Sequence, residues 1–170
     1  MIKKAAFPIL MFFFSISAFA GDTPEAQANL LQFVGNWRLD NAVVQMGEKT
    51  MTGVYTFDCS AVCENTGILA HEKFATKESG SLVGENLLAY DPNTGLVHLY
   101  SIDNTGTTHD HYGYWIEKNH LFVQYQGIVE NKMYVEQIDI KFTSPKEMKL
   151  NLTGMINGKV YAKASGTFTK

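Results

Sequence analysis

The sequence predicts an all-β fold: an antiparallel up-and-down (meander) barrel of about eight to ten strands, with a short helix at its N-terminal end. Three observations predict it. From Asn36 onward, short β-rich runs alternate with turn signals at spacings of about 8 to 12 residues, as in sandwiches and barrels. Every connection is short enough for a hairpin, so consecutive strands pair antiparallel and no parallel crossover fits. No helical segment is available to cover a second sheet face, and a meander of this length loses its exposed edges by closing on itself.

The elements follow in chain order. Residues 1–20 read as a signal peptide outside the fold. Lys3 and Lys4 form a basic n-region, Ala5 to Ile16 is an apolar run, and Ala18-Phe19-Ala20 gives an A-x-A cleavage signal before Gly21. The run is shorter than the ~20 apolar residues a bilayer span needs. The expectation is an exported protein, periplasmic or extracellular, whose mature chain 21–170 is one domain with no membrane span. Asp22-Thr23-Pro24-Glu25 then opens a helix, with a capping side chain, proline at the first turn and an acid at the positive end. Leu30, Leu31 and Val34 give it an apolar stripe, and Gly35 stops it.

Turns are read at "MGEK" (46–49), "ESGS" (78–81), "DPNTG" (91–95), "DNTG" (103–106), "EKNH" (117–120), "ENKM" (130–133), "SPKE" (144–147) and "NG" (157–158). Between the first two lies "CSAVC". In an oxidising compartment its isolated pair, Cys59 and Cys63, is expected to form a disulfide, a local staple worth about 2 kcal/mol for so small a loop. The spacing is not the C-x-x-C of redox motifs.

Hairpin pairing assigns faces. Centring turns on Lys118-Asn119 and Asn131-Lys132 pairs Ile116 with Leu121, Tyr114 with Val123, Tyr112 with Tyr125, Val129 with Tyr134 and Gly127 with Glu136. One face then reads Tyr112, Tyr114, Ile116, Leu121, Val123, Tyr125, Val129, Tyr134, Ile138, Ile140 and Phe142, which is the expected interior. Gln124, Gln126, Gln137, Asp139 and Lys141 face solvent. Carried through "DNTG", the same map pairs His98 with His111 and Tyr100 with His109. His98, His109 and His111 then share the outer face, close enough for two or three imidazoles to hold zinc or copper. Solvated side chains brought together by register are the other reading, and a one-residue bulge at "DNTG" would swing histidines inside. Asp110 and Glu136 fall on the inner face, where carboxylates mean either a hydrated ligand pocket or positions near a barrel mouth.

Composition bounds the partners. The chain has 14 Lys+Arg and 17 Asp+Glu residues, a formal charge of −3, and losing Lys3 and Lys4 makes it −5. Arg38 is the single arginine, and no basic patch suited to nucleic acid is visible.

"LLQFVGNWRL" (30–39), with Gly35-x-Trp37 after a short helix, resembles the opening of lipocalins and fatty-acid-binding proteins. Tyr90-Asp91-Pro92-Asn93-Thr94-Gly95 and Ile102-Asp103-Asn104-Thr105-Gly106, leading to Gly113, are similar to turns of a bacterial family of secreted lipocalin-like (calycin-type) domains of unknown function. The resemblance covers most of 21–170 and implies a barrel rather than an activity. In lipocalins the tryptophan closes the barrel base and stacks on a late-strand arginine, whereas Arg38 is next to Trp37 in sequence. Haem-binding nitrobindin-like barrels are similar in outline, but their glycine-rich opening is missing, so no cofactor is implied.

No nucleophile elbow, P-loop, H-E-x-x-H or dinucleotide fingerprint is present. The leading expectation is a non-enzymatic barrel binding a small apolar or amphipathic molecule through Tyr112, Tyr114, Tyr125, Tyr134, Glu136 and Asp110. A metal site on His98, His109 and His111 is the alternative. A further one is hydrolase or isomerase chemistry with Asp110 and Glu136 as an acid–base pair.

Overall fold

The computed structural model describes residues 23–76, 80–129 and 131–170, so the expected signal peptide lies outside the described residues. A helix, α1 (Thr23–Leu30), and a 3-10 turn (Leu31–Phe33) precede ten strands. These are β1 (Gly35–Met46), β2 (Lys49–Val62), β3 (Gly67–Thr76), β4 (Ser81–Asp91), β5 (Leu96–Asp103), β6 (Thr108–Glu117), β7 (His120–Val129), β8 (Lys132–Ser144), β9 (Glu147–Ile156) and β10 (Lys159–Thr169). They form a closed antiparallel meander, with β1 pairing both β2 and β10. The expected fold class is the observed one, and it is consistent with a calycin-like barrel. Among the described residues no helix is long and apolar enough to cross a membrane.

The helix end of the barrel is apolar. Leu30, Phe33, Trp37, Ile68, Leu121, Phe142, Met148 and Phe168 are buried there, each contributing about 1.5–3 kcal/mol by its removal from water. Phe33 meets Phe142 edge-on at 4.9 Å, and the Trp37 indole N–H donates to the Phe33 carbonyl at 2.6 Å. Lys170 lies over the Trp37 ring, its Nζ 4.3 Å from the ring centroid, and donates to the Val34 carbonyl at 2.7 Å. A lysine thus stands over the tryptophan where the resemblance leads one to look for an arginine, a cation–π contact of ~0.5–1 kcal/mol at such an exposed site.

The expected disulfide is corrected. Cys59 and Cys63 are both free, the first buried inside the barrel and the second exposed. The reason is a hairpin turn absent from the sequence reading. Cys63, Glu64 and Asn65 all adopt left-handed backbone (φ 49°, 57° and 68°), and Thr66 N–H closes the turn on the Cys63 carbonyl at 3.2 Å. Cys59 lies inside extended β2, which advances ~3.3 Å per residue, so Cys63 is carried beyond the ~7 Å Cα separation a disulfide tolerates.

Register is where the structure departs most from expectation. The Asp103 turn contains one residue more than anticipated. Ile102 pairs with Thr108, Leu99 with His111 and His98 with Tyr112. Asp103 Oδ1 accepts the N–H groups of Thr105 and Thr107, and Gly106 sits at φ +85° as the left-handed residue of a bulged three-residue turn. At the other end of β6 the turn is as anticipated, with Glu117 opposite His120, but a bulge at Ile116 then places Trp115 opposite Leu121. The two shifts cancel. Strands β5, β7 and β8 keep their expected faces, and β6 alone among the four is inverted. On β7 and β8 the pairing slides by an even number, Gly127 to Tyr134 and Tyr125 to Glu136, which leaves the face unchanged.

Candidate functional site

The inversion of β6 decides the site. Its inward set is His109, His111, Gly113 and Trp115. Tyr112, Tyr114 and Ile116, expected inside, are exposed on the outer face. Asp110 also points outward and meets His98 at 3.2 Å on the barrel surface. The expected ligand-binding role of Tyr112, Tyr114 and Asp110 in the lumen is therefore corrected, as are the three-histidine surface cluster and the Asp110–Glu136 acid–base pair. Tyr125, Tyr134 and Glu136 do face inward, and His109 and His111 join them.

These residues form a polar group in the half of the barrel away from α1. Alternation on β8 sends Tyr134 and Glu136 to the same face, so the Tyr134 hydroxyl reaches back and donates to Glu136 Oε2. On β6 the same alternation directs His111 Nε2 to Glu136 Oε1 at 2.8 Å and His109 Nδ1 to that oxygen at 3.5 Å. The His109 ring stacks on Tyr125, centroids 4.1 Å apart, on the intervening strand. Two glycines make room for the tyrosines. A Cβ on Gly127 would lie 2.1 Å from the Tyr125 hydroxyl oxygen, and one on Gly154 would lie 2.4 Å from that of Tyr134.

A second carboxylate enters from β3. Glu72 Oε1 accepts a hydrogen bond from the Tyr55 hydroxyl, and Oε2 accepts one from Asn86 Nδ2 at 2.7 Å. Tyr55, Glu72, Asn86, His111 and Glu136 share a cavity of about 120 Å³ whose remaining walls include Leu88, Leu99, Ile138, Leu150 and Leu152.

The environments of the two acids push their ionisation apart. Burial raises the pKa of Glu72; the Tyr55 and Asn86 hydrogen bonds oppose this, and the negative charge of Glu136 reinforces it. Burial also acts to raise Glu136, but hydrogen bonds from His109, His111 and Tyr134 prevail and hold it well below the usual carboxylate range. Tyr55 and Tyr134 are both driven up, first by burial and then by their carboxylate partners, so both remain hydrogen-bond donors. Cys59, also on the cavity wall, has its thiol pushed up to about 12, chiefly by burial. A thiol so rarely ionised is a poor nucleophile.

Tyr55, Glu72 and Asn86 are not among the residues expected from the sequence, although a signal for them exists there. Each is the polar member of an otherwise apolar alternating set: Tyr55-Phe57-Cys59, Ile68-Ala70-Glu72-Phe74 and Asn86-Leu88-Tyr90. No protein-family model matches this chain, and no curated protein matches it in sequence.

Proposed function

We propose that this protein is an exported, non-enzymatic barrel that binds one compact, mostly apolar molecule in its lumen, with a hydrogen-bond-donating or cationic end directed at Glu72. The cavity carries this reading: apolar walls on most sides and convergent polar groups on one, the usual make-up of a small-molecule site. Its volume limits the occupant. At about 120 Å³ it is slightly smaller than the ~150 Å³ apolar cavity that accepts benzene, so a ring-sized molecule fits and a fatty acid or haem does not. Glu136 has both oxygens engaged by His109, His111 and Tyr134. Among the described residues, each Glu72 oxygen accepts one protein hydrogen bond and so retains acceptor capacity for a ligand. The basic n-region, apolar run and A-x-A signal before Gly21 support delivery to the periplasm or beyond.

Calorimetry with benzylamine, phenol and cyclohexanol as probes tests the reading. At least one should bind saturably and raise the unfolding free energy by about 2.7 kcal/mol at roughly a hundredfold excess over its Kd. Ala164→Phe, which fills the cavity from its wall, should abolish binding while the barrel persists. Failure of every probe, together with native mass spectrometry showing only the bare polypeptide from its own host, would overturn it.

A further inference from the structure

We propose that His109, His111 and Glu136 bind a divalent transition-metal ion of the zinc class, with a coordination position left open toward the cavity. Each residue offers one ligand atom, and the three atoms lie within 4.8 Å of one another. In a tetrahedral shell with bonds near 2.0 Å, ligand atoms stand ~3.3 Å apart. The His109–Glu136 separation of 3.5 Å already matches that spacing, and the His111–Glu136 separation of 2.8 Å needs to open by about half an ångström. Two imidazoles and a carboxylate, with no thiolate, suit zinc.

The partners around the ligands point the same way. His111 turns Nδ1 toward the Leu99 carbonyl at 3.4 Å. If that nitrogen carries the ring proton, Nε2 presents its bare lone pair to Glu136 Oε1. Two acceptors then face each other at 2.8 Å, with His109 Nδ1 close to the same oxygen. A metal ion at that point would take both atoms as ligands, in place of the hydrogen bond that the Nε2–H tautomer of His111 donates to Glu136. Tyr134 binds the other oxygen of Glu136 and fixes its orientation, while the Leu99 carbonyl fixes the ring of His111. Outer partners of this kind hold metal ligands in position. The site also stands on β6 and β8, two strands locked into the closed barrel, so the ligands are held in place before any ion arrives. His111 and Glu136 line the cavity, which gives an ion there access to whatever the lumen holds.

The test is metal binding by the full chain after stripping with chelator, read with Zn²⁺ by calorimetry and with Co²⁺ by visible absorption. The expected result is one ion per chain with micromolar or tighter affinity, and visible Co²⁺ bands of a four- or five-coordinate site. Long-range ¹H–¹⁵N spectra should show Zn²⁺ shifting ring nitrogens of His109 and His111 but not of His98. His109→Gln and Glu136→Gln should each weaken binding at least about tenfold, Tyr134→Phe should weaken it by about tenfold, and His98→Gln should leave it unchanged. The wild-type spectra identify the ligands even where a variant fails to fold. Absence of saturable binding by the wild type, or Zn²⁺ shifts confined to His98, would overturn the site. So would full affinity in both His109→Gln and Glu136→Gln. Because the probe is the metal alone, the outcome is separate from that of the organic-ligand reading.

Discussion

Strand β6 takes part in histidine–carboxylate contacts on both sides of the barrel wall. Outside, Asp110 meets His98 at 3.2 Å with side chains 57% and 38% exposed; inside, His111 meets Glu136 at 2.8 Å with side chains 2% and 11% exposed. The residue types are alike and the distances similar, so the surroundings separate the two. Water screens the outer pair and solvates either member when the other is lost, which leaves it worth ~0–1 kcal/mol. The inner pair has no such recourse, and an unpartnered buried group costs its full desolvation. Proximity alone therefore says little about importance, whereas proximity under burial ties the inner pair to Tyr134 and His109 as one unit.

The strongest way to break this comparison is to remove one acid from each pair. Glu136→Ala leaves two inward histidines and Tyr134 without their acceptor, and should cost about 3–5 kcal/mol in urea unfolding. A loss below 1 kcal/mol, roughly the surface value, would erase the distinction between the two faces. Gly154→Ala sharpens it by perturbing the inner unit without touching a charge. Its Cβ would stand 2.4 Å from the Tyr134 hydroxyl oxygen, so overpacking of about 1–3 kcal/mol is expected in the same assay.

The pH dependence follows from the opposite shifts of the two lumen acids. Glu136 has a lowered folded pKa, so its contribution is complete above the unfolded value of ~4.3 and is lost as pH falls toward the folded one. Glu72 has a raised folded pKa, so its contribution is complete below ~4.3 and is lost as pH rises through the folded value. Glu72→Gln should therefore equal the wild type near pH 4 and exceed it in stability at pH 7, measured by unfolding midpoints across that range. A variant less stable than the wild type at pH 7 would contradict the shift. The smallest effect belongs to the surface pair: Asp110→Asn should change stability by less than roughly 0.5 kcal/mol.

Much of the fold was legible because turns and alternation are local signals. The inward faces of β7 and β8 were read from Leu121, Val123, Ile138 and Ile140, and Glu136 stood out as the one acid among them. Strand β6 was not legible in the same way. Its even positions, Tyr112, Tyr114 and Ile116, are the apolar ones, so patterning argued for the wrong face. The barrel instead turns His109 and His111 inward against that pattern. Local rules tend to fail in this manner where polar groups are gathered inside for a purpose. Gly106 offered a clue to the longer turn, whereas nothing in the residues around Ile116 announced the bulge. The disulfide failed for a related reason. An isolated pair close in sequence is not close in space here, because "ENT" supplies a hairpin turn that separates the two cysteines.

The paired irregularities of β6 behave like an insertion and its suppressor in a reading frame. One extra residue at the Asp103 turn shifts the phase of everything that follows, and the extra residue at Ile116 restores it. Only the stretch between them is read in the other frame, which exchanges its wet and dry residues while the rest of the barrel keeps its pairing. A double deletion, one residue from each place, should turn Tyr112 and Tyr114 inward and put both histidines in solvent without changing strand order. Two compensating single-residue insertions thus offer a barrel a short evolutionary route to a polar interior: the side chains already exist on its surface, and only their phase has to change.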